Sequence, residues 1–423
     1  MLAFSPDSQT IVSAAGTDAL RFWDPQTAKE KLQLPGNPGD PVLCLTYSPD
    51  GGKLAVGRRQ GSVELWDLGQ KKIFQQYKYA GPVYALAFTQ DGTTLAASGG
   101  SKIALFDLAS GKEVRAFNSR SEGAPATLPA VAALAFSPDG KMLAAGCYDA
   151  VIRLLDAASG KEIRAMEGHG NVAYVLAFSG DGRTLASGSF DQTVRLWETF
   201  SGFQVGVYKG HLGPVTTLAL LKNGRGIFSG SADTSILRWD TTGLAQDGSL
   251  PELTLGQPEL KAAWFDLASE EAGRGHRALW QAAASAKNAV PFLEGQLYFL
   301  DPKKVDKLFA DLNSEQYKVR TEATKELEKY GIWMKGRLLV MHKNPPTLEV
   351  QRRIDQMLTK LNVPGALTIE QERLRVRRVM LALEQVASPE ARAVLQKLST
   401  NAPEEELQKD AQASLERLAK RGP

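Results

Sequence analysis

One phrase recurs six times in the first 240 residues and constrains the fold more than any other feature. It reads LAFSPD (2–7), LTYSPDG (45–51), LAFTQDG (86–92), LAFSPDG (134–140), LAFSGDG (176–182) and LALLKNG (218–224). The third letters of successive copies lie 43, 41, 48, 42 and 42 residues apart. A second phrase, such as LRFWD, VELWD or VRLWE, follows each copy. A fixed period of this length indicates a repeat architecture.

Each repeat contains the signals for four β-strands. The first phrase alternates apolar and other residues, as a half-buried strand requires, and most copies end in a tight-turn sequence such as Pro-Asp-Gly. A strand of small residues follows, such as TLASGS (184–189), and then the second phrase, a polar turn and an outer strand. Four strands in roughly 40 residues are typical of a propeller blade.

Residues 2–244 resemble WD-repeat (WD40) propeller units. Repeats five and six carry the full motif of a Gly-His pair, a serine, an aspartate and a tryptophan. The resemblance implies that these side chains form a buried hydrogen-bond chain across each blade, which would satisfy polar atoms that are costly to bury. The residues are His169, Ser187 or Ser189, Asp191 and Trp197 in repeat five, and His211, Ser229 or Ser231, Asp233 and Trp239 in repeat six.

The other four repeats depart from this motif. Repeat one keeps Asp18 and Trp23 but has no Gly-His pair, and repeat two reads RRQGS where the aspartate turn is expected. Repeat three has Phe106 at the tryptophan position, and repeat four has Leu155 there. We therefore expect these blades to depend more on apolar packing.

The first repeat begins inside its first strand, which leaves two alternatives for closing the ring. The chain has lost an upstream strand or a whole blade, so that six visible units come from a ring of seven. Alternatively, six blades close by themselves, with LPELTL (250–255) as the last outer strand. The first alternative is favoured, because an exposed sheet edge promotes aggregation.

After residue 244 the pattern changes from alternation to helical periodicity. We predict a propeller at 1–244, a linker at 245–258 and an all-α domain at 259–423. In the segment 313–331, Asn313 is expected to cap a helix together with Gln316, and Gly331 to end it. Other helices are predicted at 259–269, 272–285, 303–312, 346–361, 368–386, 388–398 and 403–420. This part resembles HEAT-type helical repeats, and the domain order resembles large bacterial WD-repeat proteins.

The sequence offers no constellation for catalysis, a cofactor or a metal. His276 and His342 have no Cys, Asp or second His at metal-ligand spacing, and no P-loop, G-x-S-x-G or H-E-x-x-H motif is present. The formal net charge is only +3, which does not indicate an obligate nucleic-acid binder. Cys44 and Cys147 fall in strands of different blades and are expected to be buried thiols. We expect neither an enzyme nor a bound cofactor, and the compartment is left open.

A partner-binding surface is predicted from the family resemblance. In WD-repeat proteins the residue before the turn aspartate points to the top face, and here these positions include Arg59, Tyr148 and Phe190. Tyr, Phe and Arg are residue types that anchor protein interfaces, although packing on neighbouring loops is an equal alternative. The long segment NSRSEGAPATLP (118–129) is expected to lengthen a loop on the same face.

A basic cluster, RLRVRR (373–378), is the one candidate for binding a polyanion. It contains Arg373, Arg375, Arg377 and Arg378 beside Glu370 and Glu372. A solvated helix face is the favoured interpretation, because no aromatic residues interleave with the arginines.

Together these observations predict a non-enzymatic scaffold that binds protein partners on the propeller top face and on the helical-repeat surface. One alternative is a sensor or assembly arm of a larger protein with an upstream catalytic domain. The other is an RNA- or polyanion-binding adaptor that uses residues 373–378.

Overall fold

The computed structural model describes residues 1–15, 19–79, 81–100, 102–118, 131–221, 223–244, 250–363 and 365–420. These residues form two compact units. The first extends to Thr241, and the second comprises 242–244 and 250–420.

The described residues of the first unit form 23 short β-strands. They are β1 (Leu2–Phe4), β2 (Ile11–Ser13), β3 (Leu20–Trp23), β4 (Glu30–Leu34), β5 (Val42–Tyr47), β6 (Lys53–Arg58), β7 (Ser62–Asp67), β8 (Lys72–Lys78), β9 (Val83–Phe88), β10 (Thr94–Gly99), β11 (Lys102–Asp107), β12 (Lys112–Asn118), β13 (Val131–Phe136), β14 (Met142–Cys147), β15 (Ile152–Asp156), β16 (Glu162–Met166), β17 (Ala173–Phe178), β18 (Thr184–Ser189), β19 (Thr193–Glu198), β20 (Gln204–Lys209), β21 (Val215–Leu220), β22 (Gly226–Ser231) and β23 (Ile236–Asp240).

The strands assemble into six antiparallel sheets, one for each repeat. Blades 1 to 5 each have four strands in sequence order, from β1–β4 to β17–β20, and blade 6 has β21–β23. The first strand of each blade packs against the first strand of the next, from β1 on β5 to β17 on β21. The prediction of a six-bladed β-propeller followed by a helical region is confirmed.

The expected fourth strand of blade 6 is not formed by residues 250–255, so that alternative is wrong. This segment has no strand structure and packs on the helical unit instead. The Leu253 N–H donates to the Ala284 carbonyl at 2.8 Å, and the Leu255 N–H donates to Ser285 Oγ at 3.0 Å. Residues 250–258 of the predicted 245–258 linker are therefore part of the helical unit, and 245–249 lie outside the described residues.

Small residues in the second strand of each blade allow neighbouring blades to approach closely. A Cβ atom added to Gly188 would lie 2.5 Å from Cγ1 of Val215 and 2.8 Å from Cγ1 of Val175. In blade 2, a Cβ on Gly57 would lie 2.7 Å from Val83 Cγ1. Real carbon atoms do not approach this closely, so the glycines are required by packing between blades.

The Ser-Pro-Asp-Gly phrase folds as a tight turn. In blade 4, Ser137 Oγ donates to Asp139 Oδ1 at 2.6 Å and accepts the Met142 N–H at 2.9 Å. Gly140 adopts φ of +70°, which strongly favours glycine. The turn therefore connects the first two strands of the blade.

Ten α-helices and one 3₁₀ helix form the described part of the helical unit. They are α1 (Gln257–Asp266), α2 (Ala272–Ala284), α3 (Ala286–Gln296), α4 (Pro302–Asp311), α5 (Tyr317–Lys329), the 3₁₀ helix (Gly331–Met334), α6 (Lys335–Lys343), α7 (Leu348–Leu361), α8 (Ile369–Val386), α9 (Pro389–Asn401) and α10 (Glu405–Lys420).

These helices build two hydrophobic cores. Helices α1–α3 share one core with α8–α10, and α4–α7 surround the other. Helix α2 packs on α8, although five α-helices and the 3₁₀ helix lie between them in the sequence. A helical-repeat array has contacts only between neighbouring repeats, so this arrangement differs from the HEAT-type stack that the sequence predicts.

Local capping explains where several helices begin. Ser388 Oγ accepts the Ala391 N–H and starts α9, and Thr368 forms a capping box with Gln371 at the start of α8. The predicted Asn313 cap is wrong. Asn313 continues a turn from α4, where its N–H donates to the Ala310 carbonyl, and α5 begins four residues later.

Candidate protein-interaction surface

Blade 5 contains a buried hydrogen-bond chain of four side chains. Trp197 Nε1–H donates to Ser187 Oγ at 2.8 Å, and the Ser187 hydroxyl donates to His169 Nε2 at 2.7 Å. His169 Nδ1–H then donates to Asp191 Oδ2 at 2.8 Å. The carboxylate can only accept, which places the imidazole proton on Nδ1 and leaves Nε2 as the acceptor for serine.

The electrostatics of this chain favour a neutral histidine beside an ionised aspartate. Burial lowers the pKa of His169, and Asp191 offsets only part of this effect. Burial would raise the pKa of Asp191, but hydrogen bonds from Thr193, the Gly170 N–H and His169 lower it to about 2. The histidine therefore acts as a structural connector in blade 5.

Blade 6 contains the same chain. Trp239 Nε1–H donates to Ser229 Oγ at 2.7 Å, and Ser229 bonds His211 Nε2 at 2.7 Å. His211 Nδ1 lies 3.2 Å from Asp233 Oδ2. A hydrogen bond from Ser235, together with backbone amides, lowers the pKa of Asp233.

The alternative serines, Ser189 and Ser231, do not belong to these chains. Ser189 Oγ donates to the Asn171 carbonyl at 2.9 Å and accepts the Asp191 N–H at 3.0 Å. Ser231 makes the same contact with the Gly213 carbonyl at 2.9 Å. These two serines hold the turn that carries the aspartate.

Blade 2 contains a buried ion pair that the sequence analysis missed. Arg58 Nε and Nη2 donate to the two Glu64 oxygens at 2.7 and 3.0 Å, and Trp66 Nε1–H donates to Glu64 Oε2 at 3.2 Å. Arg58 Nη1 also donates to the Asp40 carbonyl at 2.9 Å. The expectation that blade 2 depends more on apolar packing did not include this ion pair. The signal was an arginine at the end of β6 and a glutamate in β7, which lie diagonally across the strand pair because Glu64 pairs with Val56, two residues before Arg58.

The predicted surface positions occupy equivalent places in their blades. The Arg59 N–H donates to the Pro41 carbonyl at 3.0 Å, and the Phe190 N–H donates to the Val172 carbonyl at 3.1 Å. The side chains of Arg59, Tyr148 and Phe190 are all exposed. The turn therefore presents each of these side chains to solvent. Residues 119–129 of the expected long loop lie outside the described residues.

Four aromatic side chains lie in two pairs over blades 3, 4 and 5. The Tyr84 and Tyr148 rings are 6.2 Å apart edge-to-face, and the Tyr174 and Phe190 rings are 4.9 Å apart. Burial, and after it the phenols of Tyr84 and Tyr174, raises the pKa of Tyr148. We call Tyr84, Tyr148, Tyr174 and Phe190 the aromatic row. Sequence reasoning found Tyr148 and Phe190 but missed the two tyrosines, each the second residue of its strand.

Two arginines of the 373–378 cluster lie at the surface with acidic partners. Arg373 makes a bidentate contact with Glu404 at 2.6 and 2.7 Å. Arg377 Nε donates to Asp410 at 2.8 Å. Both guanidinium groups are thus already neutralised by carboxylates of neighbouring segments.

The other two arginines of this cluster are buried. Arg378 Nη1 donates to the Leu267 carbonyl at 3.0 Å, at the end of α1. Arg375 lies over the Trp264 ring at 4.5 Å and bonds Glu372 at 3.0 Å. The cluster therefore holds α8 against its neighbours, and it does not form an exposed basic stripe.

The remaining histidines also have structural contacts. Trp280 Nε1–H donates to the buried His276 Nε2 at 3.0 Å, and His342 Nε2 lies 2.7 Å from Asp355 at the surface. Within the described part of the chain, no three His, Cys, Asp or Glu side chains converge as a metal site would require. Nor does any helix described there have the length and apolarity to cross a membrane.

Comparisons with known proteins agree with this architecture. Residues 28–67, 160–198 and 202–240 match the family "WD domain, G-beta repeat", and residues 123–175 match the "Anaphase-promoting complex subunit 4 WD40 domain". The small ribosomal subunit protein RACK1 of Neurospora crassa is 31% identical over 154 residues, which is 36% of this chain and 48% of that protein. The MST50-interacting protein 11 of Pyricularia oryzae has the same identity and coverage.

A third relative has a similar identity and coverage. RACK1 of Caenorhabditis elegans is 31% identical over 156 residues, again 36% of this chain and 48% of that protein. The chain thus spans about half the length of the curated relatives it matches. These three relatives are eukaryotic and do not support the resemblance to bacterial proteins. The first unit is a six-bladed β-propeller that contains WD40 repeats at the matched residues.

Proposed function

We propose that this protein is a non-enzymatic scaffold whose propeller binds a protein partner through the aromatic row. The single observation that carries the proposal is the row itself. It places two pairs of aromatic rings on three successive blades, and Tyr148 and Phe190 are 43% and 38% exposed. The similarity to RACK1-type proteins and to a protein named for its interaction with MST50 supports a role in protein binding.

The physical basis is that rigid aromatic side chains provide a large contact area at low entropic cost. Each ring of the row is fixed against a neighbouring ring or strand, so little side-chain freedom is lost when a partner binds. Tyrosine also offers a hydroxyl group at the rim of an apolar contact, and aromatic residues are enriched among the residues that dominate interface energies.

The helical unit provides a candidate for a second partner surface. Val340 and Leu348 are exposed apolar side chains, and Tyr317 is exposed between Arg320 and Arg353. Exposed apolar and aromatic residues of this kind are typical of interaction sites. In this proposal the two units bind different partners, which is the basic property of a scaffold.

The test replaces Tyr148 and Phe190 together by alanine in the full chain. The immobilised chain is incubated with a soluble extract of its own cells, and retained proteins are quantified by mass spectrometry. The matched control is the pair Phe74→Ala and Phe203→Ala, which removes two equally exposed rings elsewhere on the propeller.

We expect at least one partner to be retained by the unchanged chain and by the control, and to fall at least tenfold with the row variant. Val340→Ser with Leu348→Ser should remove a different partner and leave the first one bound. An identical set of retained proteins for the unchanged chain and the row variant would overturn the proposal.

A further inference from the structure

A small cavity in the helical unit is lined by three aromatic side chains. Tyr298 comes from the connection between α3 and α4, Tyr330 directly follows α5, and Trp333 belongs to the 3₁₀ helix. Leu361 and Leu367 add apolar surface to the lining. The volume of the cavity is about 170 Å³. Pockets for drug-sized ligands measure about 300–1,000 Å³, so this cavity suits a single functional group or a very small molecule.

The two tyrosine rings stand nearly at right angles to each other. The centroids of Tyr298 and Tyr330 are 6.5 Å apart, and the ring planes are inclined by 74°. The two rings therefore bound the cavity from different directions. Gly331 adopts φ of +55°, which turns the chain from α5 into the 3₁₀ helix and brings Tyr330 and Trp333 to the same cavity. We call Tyr298, Tyr330 and Trp333 the cage.

A largely buried carboxylate completes the lining. Glu372 lies in the first turn of α8, and its side chain is 12% exposed. Burial raises the pKa of Glu372, and Arg375, which donates to it at 3.0 Å, offsets only part of this effect. A further positive charge in the cavity would therefore stabilise the ionised carboxylate.

The electrostatic field at the cage favours a cation. Burial raises the pKa of the Tyr298 hydroxyl, the charge of Glu372 raises it further, and Arg375 opposes this with a smaller effect. At Tyr298 the carboxylate therefore outweighs the guanidinium group. Lys360 also lines the cavity, but its ammonium group is mostly exposed and bonds Glu328 at 2.6 Å. Its charge is thus compensated at the surface.

We propose that the cage binds a quaternary ammonium group. Such a cation is attracted to the faces of aromatic rings, and aromatic side chains around a small cavity are the arrangement that this attraction requires. A quaternary ammonium has no N–H groups, so rings and apolar side chains can surround it without leaving a donor unpaired. The group belongs either to a small molecule such as choline or to a trimethylated lysine of a protein, and the chemistry of recognition is the same. This site lies outside the aromatic row and does not depend on the function proposed for it.

The first test compares choline with its uncharged isostere, in which a tert-butyl group replaces the trimethylammonium group. Both are titrated into the full chain by isothermal titration calorimetry. The two molecules have the same shape, so the difference in affinity reports the positive charge. We expect choline to bind at least about tenfold more tightly, as a desolvated cation–π contact allows. Equal affinities, or no heat of binding with choline, would overturn the proposal.

Variants of the cage locate the site. Tyr298→Leu removes the face of an aromatic ring but keeps an apolar side chain, whereas Tyr298→Phe keeps the face. Tyr298 is 36% exposed, so both variants should fold. We expect Tyr298→Leu and Tyr330→Leu to weaken choline binding at least about fivefold, and Tyr298→Phe to change it less than about twofold.

The matched control is Tyr148→Leu, which removes an exposed ring of the aromatic row. It should leave choline binding unchanged. A loss in this control with none in Tyr298→Leu would place the binding on the propeller and overturn the proposal.

Peptides identify the source of the group. A peptide with one trimethylated lysine is compared with the same peptide carrying an unmodified lysine. Tighter binding of the methylated peptide than of choline would assign the site to a protein ligand, and tighter binding of choline would assign it to a small molecule. Either result supports the cage. Equal binding of the two peptides, together with no binding of choline, would overturn the proposal.

Discussion

Trp66 in blade 2 and Trp197 in blade 5 occupy the same position in their third strands, and each indole N–H needs an acceptor inside the propeller. In blade 5 the acceptor is Ser187, which leads to His169 and Asp191. In blade 2 the acceptor is Glu64, which Arg58 neutralises.

The comparison also explains how the two solutions fit the same backbone. Arg58 occupies the position of Ser189, and Asp40 the position of Asn171. Arg58 donates to the Asp40 carbonyl at 2.9 Å, just as Ser189 donates to the Asn171 carbonyl at 2.9 Å. The arginine therefore keeps the serine's contact with the turn and adds the ion pair. What the fold requires at this position is a donor for that carbonyl, and the family motif is one of several ways to supply it.

The largest effect should come from Glu64→Ala in blade 2. It leaves the Arg58 charge buried with one carbonyl partner and leaves the Trp66 N–H without an acceptor. We expect a loss of about 3–5 kcal/mol in the free energy of unfolding, measured by urea denaturation. The double variant Arg58→Met with Glu64→Leu removes the unpaired charge but leaves the Asp40 carbonyl and the Trp66 N–H without partners, so it should recover only part of this loss. A double variant as unstable as Glu64→Ala would mean that the pair itself stabilises the blade.

A smaller loss is expected from Ser187→Ala in blade 5. It removes the shared partner of Trp197 and His169, and each buried unpaired group costs about 1–3 kcal/mol. The control is Ser13→Ala in blade 1, where Trp23 Nε1–H donates to Ser13 Oγ at 2.7 Å in a partly exposed site. Water can replace that serine, so we expect a loss below about 1 kcal/mol in the same urea titration. Equal losses would contradict the role assigned to burial.

Blade 5 should also respond to pH. The pKa of His169 is lowered by burial, so the unfolded chain binds its proton more readily than the folded chain. The stability contributed by the neutral histidine is therefore complete above about pH 6.5 and declines below it, by at most about 1.4 kcal/mol per pH unit. Asp191, with a pKa of about 2, adds its own loss only below about pH 4.

The measurement is hydrogen exchange in β17–β19 at pH 7, 6 and 5, corrected for intrinsic exchange rates. As the pH is lowered from 7 to 5, the protection of these amides should decrease in the unchanged chain. In His169→Gln, protection should be lower at pH 7 and should vary less with pH. A pH-independent protection in the unchanged chain would contradict a neutral His169.

The smallest effect on stability should come from the aromatic row. Tyr148 and Phe190 are substantially exposed, so Tyr148→Ala with Phe190→Ala should cost less than about 1 kcal/mol by urea denaturation. This result would separate the surface used for partners from the side chains that hold the blades together. A loss as large as that of Ser187→Ala would mean that the row is structural.

The sequence predicts best where a motif fixes both residue type and spacing. The six-repeat period was sufficient for the propeller, and the Gly-His pairs located both hydrogen-bond chains. It could not choose between Ser187 and Ser189, because residues two apart on a strand lie on the same face, and only the register with β19 decides which serine lies nearer to Trp197. The sequence did not predict the Arg58–Glu64 ion pair, because the pair belongs to no motif and its formation depends on the register of two paired strands.

The helical unit was harder to predict for a different reason. Helix α3 contains Pro291, and α6 lacks a clear apolar face, so neither gives a strong periodic signal. The Asn313 cap was the wrong choice because several capping residues occur together in residues 313–316. The shared core of α1–α3 and α8–α10 is a long-range contact, on which helical periodicity gives no information.

That shared core has a consequence during synthesis. The last residue of α3 and the last residue of α8 are separated by 90 positions. At about 5–20 residues per second, the ribosome needs roughly 5–18 s to add them. For that time the apolar side chains of α1–α3, including Leu279 and Val290, lack the helix that buries them. At this stage the exposed apolar side chains of α1–α3 offer a binding site for chaperones. By contrast, all the described strands of the propeller have already been synthesised.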